Sequence, residues 1–326
     1  MPLPFILGGL ALAAAGYGVK KGIDALDADC EADEFIKKAE SLKEETKRKV
    51  DNAQSSRNQA LVRLGKKKLH VLSHSVSNFL DHFHQLNRSR ITIEGINMQD
   101  IQRQVSDARN LLNQLNANGI DGDSAPGVIA GFGSLGISSF TTGAILGGGL
   151  AASGLAGMAV IGGIVAGPAL AILGALSADE MEKKREDAKA YLSQVKAAVK
   201  KADAMIDNLQ AVRKMADLFT RQITKLDALF FSLSQDAIAT MKKHHYDTSR
   251  YDQEEKDQLC VTVSTLFSLS AFLKVSIMDE HQKLNKKAQN ALNLMRNQIN
   301  AIESTQESGH YDVAMIQSNQ KGLKNL

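Results

Sequence analysis

Residues 69–86 read LHVLSHSVSNFLDHFHQL. Leu69, Leu72, Val76, Phe79, Phe83 and Leu86 follow one another at steps of three, four, three, four and three. That spacing lays one apolar stripe along a helix and buries it against another helix. A second near-heptad stripe comprises Leu209, Val212, Met215, Leu218, Phe219, Ile223, Leu226, Phe230 and Leu233. It sits in a stretch predicted to run as one helix from Ala178 to Lys243. A further helix is expected from Met98 to Leu115, with Ile101, Val105, Leu112 and Leu115 inward. A last arm is predicted from Gln253 to Thr305. Its apolar positions are Leu259, Val263, Leu266, Phe267, Leu273 and Ile277, then Leu284, Ala288, Ala291, Leu292, Met295, Ile299 and Ile302.

Punctuation separates these arms. Asn87–Asn97, with Ile91, Ile93, Gly95 and Ile96, reads as an extended loop. Asn116–Pro126 carries the turn dipeptides Asn118-Gly119 and Asp121-Gly122. His244–Asp252 reads as a polar hinge. In the first arm, Ala32–Leu86, Gly65 and the run Lys66–Lys68 mark an expected bend, and the lysines are read as a solvated face.

Composition agrees with helices. Of 326 residues only 5% are aromatic, none is Trp and four are Pro. The chain is poor in the residues that strands favour and has few enforced breaks. Thirty-nine basic and 36 acidic side chains give a net charge of +3, too balanced for a nucleic-acid partner. Cys30 and Cys260 lie far apart without zinc-ligand spacing, which suits a reducing compartment.

Two apolar segments interrupt the charged arms. Leu3–Val19 is followed by Lys20 and Lys21, the reverse of a secretory signal. It is read as a retained anchor or a buried helix. Its length of about 25 Å is marginal against a hydrocarbon core of roughly 30 Å. The second segment is larger. Between Asp123 and Asp179 lie 55 positions without one charged residue, and they hold 14 of the 25 glycines. Two crossings of roughly 20 residues fit this length. The predicted split is Val128–Leu146, a turn near Gly147–Gly154, and Leu155–Leu176, with a turn near Ser138–Gly143 as the competing register. Gly127/Gly131, Gly143/Gly147, Ser153/Gly157 and Gly163/Gly167 are small-xxx-small pairs, which let helices approach closely in lipid. Three readings of this segment stay open: a permanent hairpin anchor, insertion on a trigger, and a hairpin buried within a soluble protein.

Enzymatic motifs are wanting. There is no GxxxxGK[ST] loop and no GxSxG elbow. GFGSLG at Gly131–Gly136 matches a dinucleotide-binding pattern, but no βαβ context surrounds it. His70 and His74 share a helix face, yet the stretch HVLSH lacks the glutamate of HExxH and an obvious third ligand. They are read as a solvated pair beside the seam. His82 and His84 point to different faces, and His244 and His245 are read as loop residues. Protonation of these six histidines offers a pH trigger that loosens the bundle.

Long amphipathic helices, the glycine-rich run Gly127–Ser177, then more long helices: in this layout the chain resembles α-helical pore-forming toxins. More loosely, it is similar to the apolipoprotein L group and to type III secretion translocators. The resemblance covers most of the chain but carries no diagnostic motif. It implies a soluble-to-membrane transition and oligomeric assembly. The N-terminal apolar segment departs from the toxin pattern, as does the lack of an export signal, and both point to action inside the producing cell.

The fold expected is all-α: an elongated, coiled-coil-like helical bundle with a central glycine-rich hydrophobic hairpin and an N-terminal apolar helix. The first and third arms are expected to pack antiparallel. The expected divisions are an apolar segment or anchor (1–21), a helical arm (22–126), the glycine-rich membrane hairpin (127–177), a helical arm pair (178–305) and a polar tail (306–326). The expected function is membrane insertion with oligomerisation, permeabilising or remodelling a bilayer. The alternative is a membrane-anchored helical scaffold that recruits a cytoplasmic partner. No enzyme activity, cofactor, catalytic residue or metal is expected. Gly127, Gly131, Gly143, Gly147, Ser153, Gly157, Gly163 and Gly167 are the expected membrane packing residues. The partners expected are a lipid bilayer, further copies of the chain and a protein docked on the helical arms, at the cytoplasm and the cytoplasmic side of a membrane.

Overall fold

The computed structural model describes residues 26–86, 98–117, 125–135, 178–279 and 283–308. These residues form an all-helical fold, with no strand among them. Helix α1 spans Leu26–His70 and continues through a π-helix, Val71–Val76, into α2, Ser77–Phe83. Then come α3 (Met98–Ala117), α4 (Ala125–Leu135), α5 (Ala178–Lys243), a 3-10 turn (Thr248–Arg250), α6 (Gln253–Leu273) and α7 (Lys286–Ser308). The chain divides into two compact units, Met1–Ser56 with Ala156–Gln210, and Arg57–Leu155 with Ala211–Leu326.

The 66-residue α5 contains neither Gly nor Pro, and Lys242 and Lys243 in its last turn complement the helix dipole. It ends in a Schellman-type cap. The Tyr246 N–H donates to Met241 O at 2.7 Å, and the His245 N–H donates to Lys242 O at 3.1 Å. This cap places His245 and Tyr246 at φ 54° and 60°, a region that costs a residue with a Cβ about 1–2 kcal/mol. His245 is exposed. His245→Gly is therefore expected to stabilise the protein by about 1 kcal/mol, seen as a raised denaturant midpoint at unchanged m-value. Asp252 and Glu255 form a reciprocal capping box that starts α6.

In each unit α1 and α5 run parallel, against the antiparallel expectation. In the first unit Arg185 pairs with Glu31, and the Tyr191 hydroxyl donates to Glu40 at 2.6 Å. A small apolar cluster of Ala39, Tyr191, Leu192 and Val195 lies there. In the second unit the pairs are Arg63–Asp217 and Lys67–Asp227, so residue numbers again rise together. A long connection returns the chain between the two helices, whereas a short loop would have enforced the opposite direction.

The core of the second unit bears out both stripes. Leu69, Leu72, Val76 and Phe79 are fully buried, and Phe83 and Leu86 pack against the core. On α5 the stripe residues from Val212 to Leu233 are buried in this core except Leu218, which is partly so, and Leu209 is buried within the first unit. The last arm differs from expectation. It divides into α6 and α7, and between them the Ile277 N–H donates to Ser134 O at 2.7 Å. From Leu259 onward α6 is buried almost all round, its Thr262, Thr265 and Ser268 hydroxyls returned to carbonyls four residues back.

The expected membrane function is overturned, and its anchored-scaffold alternative is not supported either. Among the described residues no helix is long and apolar enough to cross a membrane. The start of the glycine-rich run is α4, which has 11 residues where a crossing needs roughly 20. Its Ile129, Ala130 and Phe132 are buried in the protein core. Pro126 sits in the first turn, where a missing N–H is harmless. Residues 1–21 and 136–177 lie outside the described residues.

Gly65 marks no bend. The α1 helix continues through it, and α4 lies directly against it. A Cβ on Gly65 would stand 2.0 Å from Ile129 O, and one on Gly133 would stand 2.3 Å from Leu61 O. The Lys66–Lys68 run is no solvated face either. Lys66 is exposed, Lys67 is ion-paired and Lys68 has no exposed surface. The Lys68 Nζ donates to Gly133 O and to Val275 O, both at 3.2 Å. Loss of hydration in this apolar site pushes its amine down to about 7.

Candidate functional site: a cleft over the π-helix

The second unit carries an open cleft of about 840 Å³. One wall is the continuous helix α1–π–α2, which contributes Lys67, His70, His74, Asn78 and Asp81 at helical spacing. The opposite wall is α5, which contributes Thr224, Asp227, Ala228 and Phe231. Arg109 reaches in from α3 and holds Ser77 Oγ, with Asp81 at 3.5 Å.

The π-helix shapes the first wall. A wider turn carries an extra residue, and such turns recur at functional sites. Here it buries Val71, Leu72, Ser75 and Val76 and leaves His70 and His74 stacked outside, ring centroids 4.4 Å apart. The pair is solvated, as the sequence suggests, and no group of three metal-ligating side chains occurs among the described residues.

Ser73 and His74 resemble a nucleophile and its base, since Ser73 Oγ lies 2.8 Å from His74 Nδ1. The surrounding hydrogen bonds oppose that role. The Ser73 hydroxyl donates to Leu69 O at 2.8 Å, and His74 Nδ1 lies 3.2 Å from His70 O. A carbonyl only accepts, so this network assigns the proton to Nδ1 and leaves the imidazole no lone pair toward Ser73.

On the α5 wall, Asp227 is 7% exposed. Its Oδ2 accepts from Lys67 Nζ at 2.8 Å. Its Oδ1 is buried and makes no hydrogen bond among the described residues. One turn on, Phe231 is 52% exposed, the sole large hydrophobic side chain so exposed among the described residues. The cleft thus combines an ion-paired carboxylate, a bare aromatic ring, a guanidinium and several hydroxyls.

Among the other described histidines, His82, His84 and His244 make contacts within the fold. His82 Nδ1 lies 2.9 Å from the Tyr246 hydroxyl, with the rings stacked, and His84 meets Gln102. His244 Nε2 lies 2.9 Å from Glu255 Oε1, which also accepts from Lys243 Nζ at 2.7 Å. The Lys243 hydrogen bond, then that of His244, holds the Glu255 carboxyl down to about 2.

No protein family, curated protein or solved structure matches this chain. The likeness to pore-forming toxins, to the apolipoprotein L group and to translocators is thus one of layout alone.

The expected packing glycines fare unevenly. Gly127 is exposed, and a Cβ there would meet nothing within 4 Å. Gly131 is buried, and its carbonyl accepts from Ser134 Oγ at 3.1 Å. Gly143, Gly147, Ser153, Gly157, Gly163 and Gly167 lie outside the described residues. Gly65 and Gly133, where an added Cβ would meet backbone at 2.0 and 2.3 Å, belong to none of the expected pairs. Asp227, Phe231 and Arg109 were also missed. Phe231 carried a signal: it falls beside Phe230 but off the heptad stripe, so one of the two had to face outward.

Proposed function

We propose that this protein is a ligand-binding helical bundle, without catalytic chemistry of its own, and that the cleft over the π-helix is its binding site. The observation that carries the reading is the exposed Phe231 ring on the α5 wall of an open cleft whose other wall is shaped by the π-helix. A volume of about 840 Å³ suits a small organic molecule. The direction of the Ser73 and His74 hydrogen bonds favours binding over acyl transfer.

A fragment library screened by backbone amide shifts tests this reading. Hits are expected to cluster on residues of the cleft and to weaken about fivefold in Phe231→Ala, an exposed position whose loss spares the core. A library that perturbs no cleft residue overturns the proposal.

A further inference from the structure

We infer that the cleft selects a zwitterionic α-amino acid with an aromatic side chain, its carboxylate on Arg109, its ammonium on Asp81 and its ring on Phe231. This inference rests on the cleft being the ligand site and adds the ligand's chemical class.

Two ion pairs line the cleft, one closed and one open. Lys67 and Asp227 lie 2.8 Å apart with side chains 20% and 9% exposed, so each neutralises the other out of reach of a ligand. Arg109 and Asp81 differ. Arg109 Nη2 stands 3.5 Å from Asp81 Oδ2, beyond the usual hydrogen-bond length, and the two side chains are 50% and 64% exposed. Only Nη2 of the guanidinium is engaged, by Ser77 Oγ and by this long contact. Its Nε and Nη1, and Asp81 Oδ1, make no hydrogen bond among the described residues. The open pair therefore presents accessible N–H donors with an accessible carboxylate oxygen beside them. A ligand of one charge satisfies half of this pair and sets its own charge against the like charge of the other half. The carboxylate and ammonium of an α-amino acid, fixed side by side, satisfy both halves. The free edge of the guanidinium fork holds the carboxylate, and the ammonium brings its donors to Asp81.

The side chain of the ligand follows from Phe231. The Phe79 ring meets the Phe230 ring edge-on, centroids 5.7 Å apart, so α2 and α5 are level there. Their cleft-lining neighbours, Asn78 on α2 and Phe231 on α5, therefore stand at that same height. Arg109 is fixed to Ser77, one residue before Asn78, and Asp81 lies about one turn beyond Ser77 on α2. The open ion pair and the bare ring thus belong to the same end of the cleft, on facing walls. Packed helix axes lie about 8–10 Å apart, a gap that an aromatic ring and its short link to the α-carbon bridge. Phe231, 52% exposed, offers a face on which such a ring stacks, a contact that an aliphatic side chain does not supply.

Three probes test this on the unaltered protein: L-phenylalanine, 3-phenylpropanoate, which lacks the ammonium, and 2-phenylethylamine, which lacks the carboxylate. Phenylalanine is expected to shift the amide resonances of Asn78, Asp81, Arg109 and Phe231. It is expected to bind about fivefold more tightly than either other probe, the scale of exposed charge contacts. Asp81→Asn, at an exposed position, is expected to remove its advantage over phenylpropanoate and to keep its advantage over phenylethylamine. Phenylalanine bound at the cleft no more tightly than a singly charged probe overturns the inference while leaving the cleft as a ligand site. An unchanged advantage over phenylpropanoate in folded Asp81→Asn overturns it equally. Absence of every fragment and probe from the cleft overturns the site itself. If Asp81→Asn fails to fold, the three probes on the wild-type chain still decide.

Discussion

Gly65→Ala is expected to destabilise the second unit by about 3 kcal/mol, a fall in melting temperature of about 10 °C. The added Cβ has no room, since Ile129 O lies 2.0 Å and Ile129 C 2.9 Å from its position. Both are backbone atoms, so no side-chain rotation relieves the contact. Either α4 withdraws, which uncovers Ile129, Ala130 and Phe132, or α1 distorts. Gly133→Ala meets the same obstacle from the other side, at Leu61 O and Gly65 N. The two effects should not add, because one displacement of α4 relieves both. Gly127→Ala, on the same short helix but in open space, is the control and is expected to be neutral or stabilising by about 0.5 kcal/mol. Thermal unfolding of the four proteins decides. Equal melting temperatures for wild type and Gly65→Ala would sink the close-contact account of α4.

Lys68→Met is expected to change the pH dependence of stability more than any other substitution in the second unit. The native amine is pushed down to about 7 by burial, against the ordinary 10.5. Between those values the unfolded chain binds a proton that the native protein does not. Unfolding then becomes less favourable as pH rises through that window, and below it the contribution is constant. The wild type should therefore gain about 2–4 kcal/mol relative to Lys68→Met between pH 7 and 10.5, allowing for relaxation around the amine. The neutral amine still has two N–H groups, one each for Gly133 O and Val275 O. Methionine has none, so the variant leaves both carbonyls without that donor at every pH, at about 1–3 kcal/mol each. Urea denaturation of both proteins across this range is the measurement, and parallel profiles would refute the assignment.

The stripes of α1–α2 and α5 were legible because burial in a helical bundle writes itself at three- and four-residue steps. The extent of α5 was legible because nothing between Ala178 and Lys243 breaks a helix. The direction of packing was not, since a stripe states which face is buried and not which way its partner runs. The division of the last arm was also hidden. Ile277 and Leu284 are apolar and in phase with a helix, yet they serve a turn that closes over Ser134. The reading of the glycine-rich run went astray at α4 for a related reason. Absence of charge marks a buried segment equally in lipid and in a protein core, and here the core holds Ile129, Ala130 and Phe132. The cleft was least legible. Asp227 and Phe231 gain meaning only once Lys67, Thr224 and the π-helix stand around them, and those neighbours are up to 160 positions away.

The parallel course of α1 and α5 also sets an order of events during synthesis. Glu40 meets Tyr191 across 151 positions, Arg63 meets Asp217 across 154, and Lys67 meets Asp227 across 160. The apolar stripe of α1 and α2 therefore leaves the ribosome well before its partner exists. At about 5–20 residues per second, that interval lasts on the order of 10–30 seconds. Throughout it Leu69, Leu72, Val76 and Phe79 have no α5 to cover them, so this apolar stripe waits for its partner helix until α5 emerges.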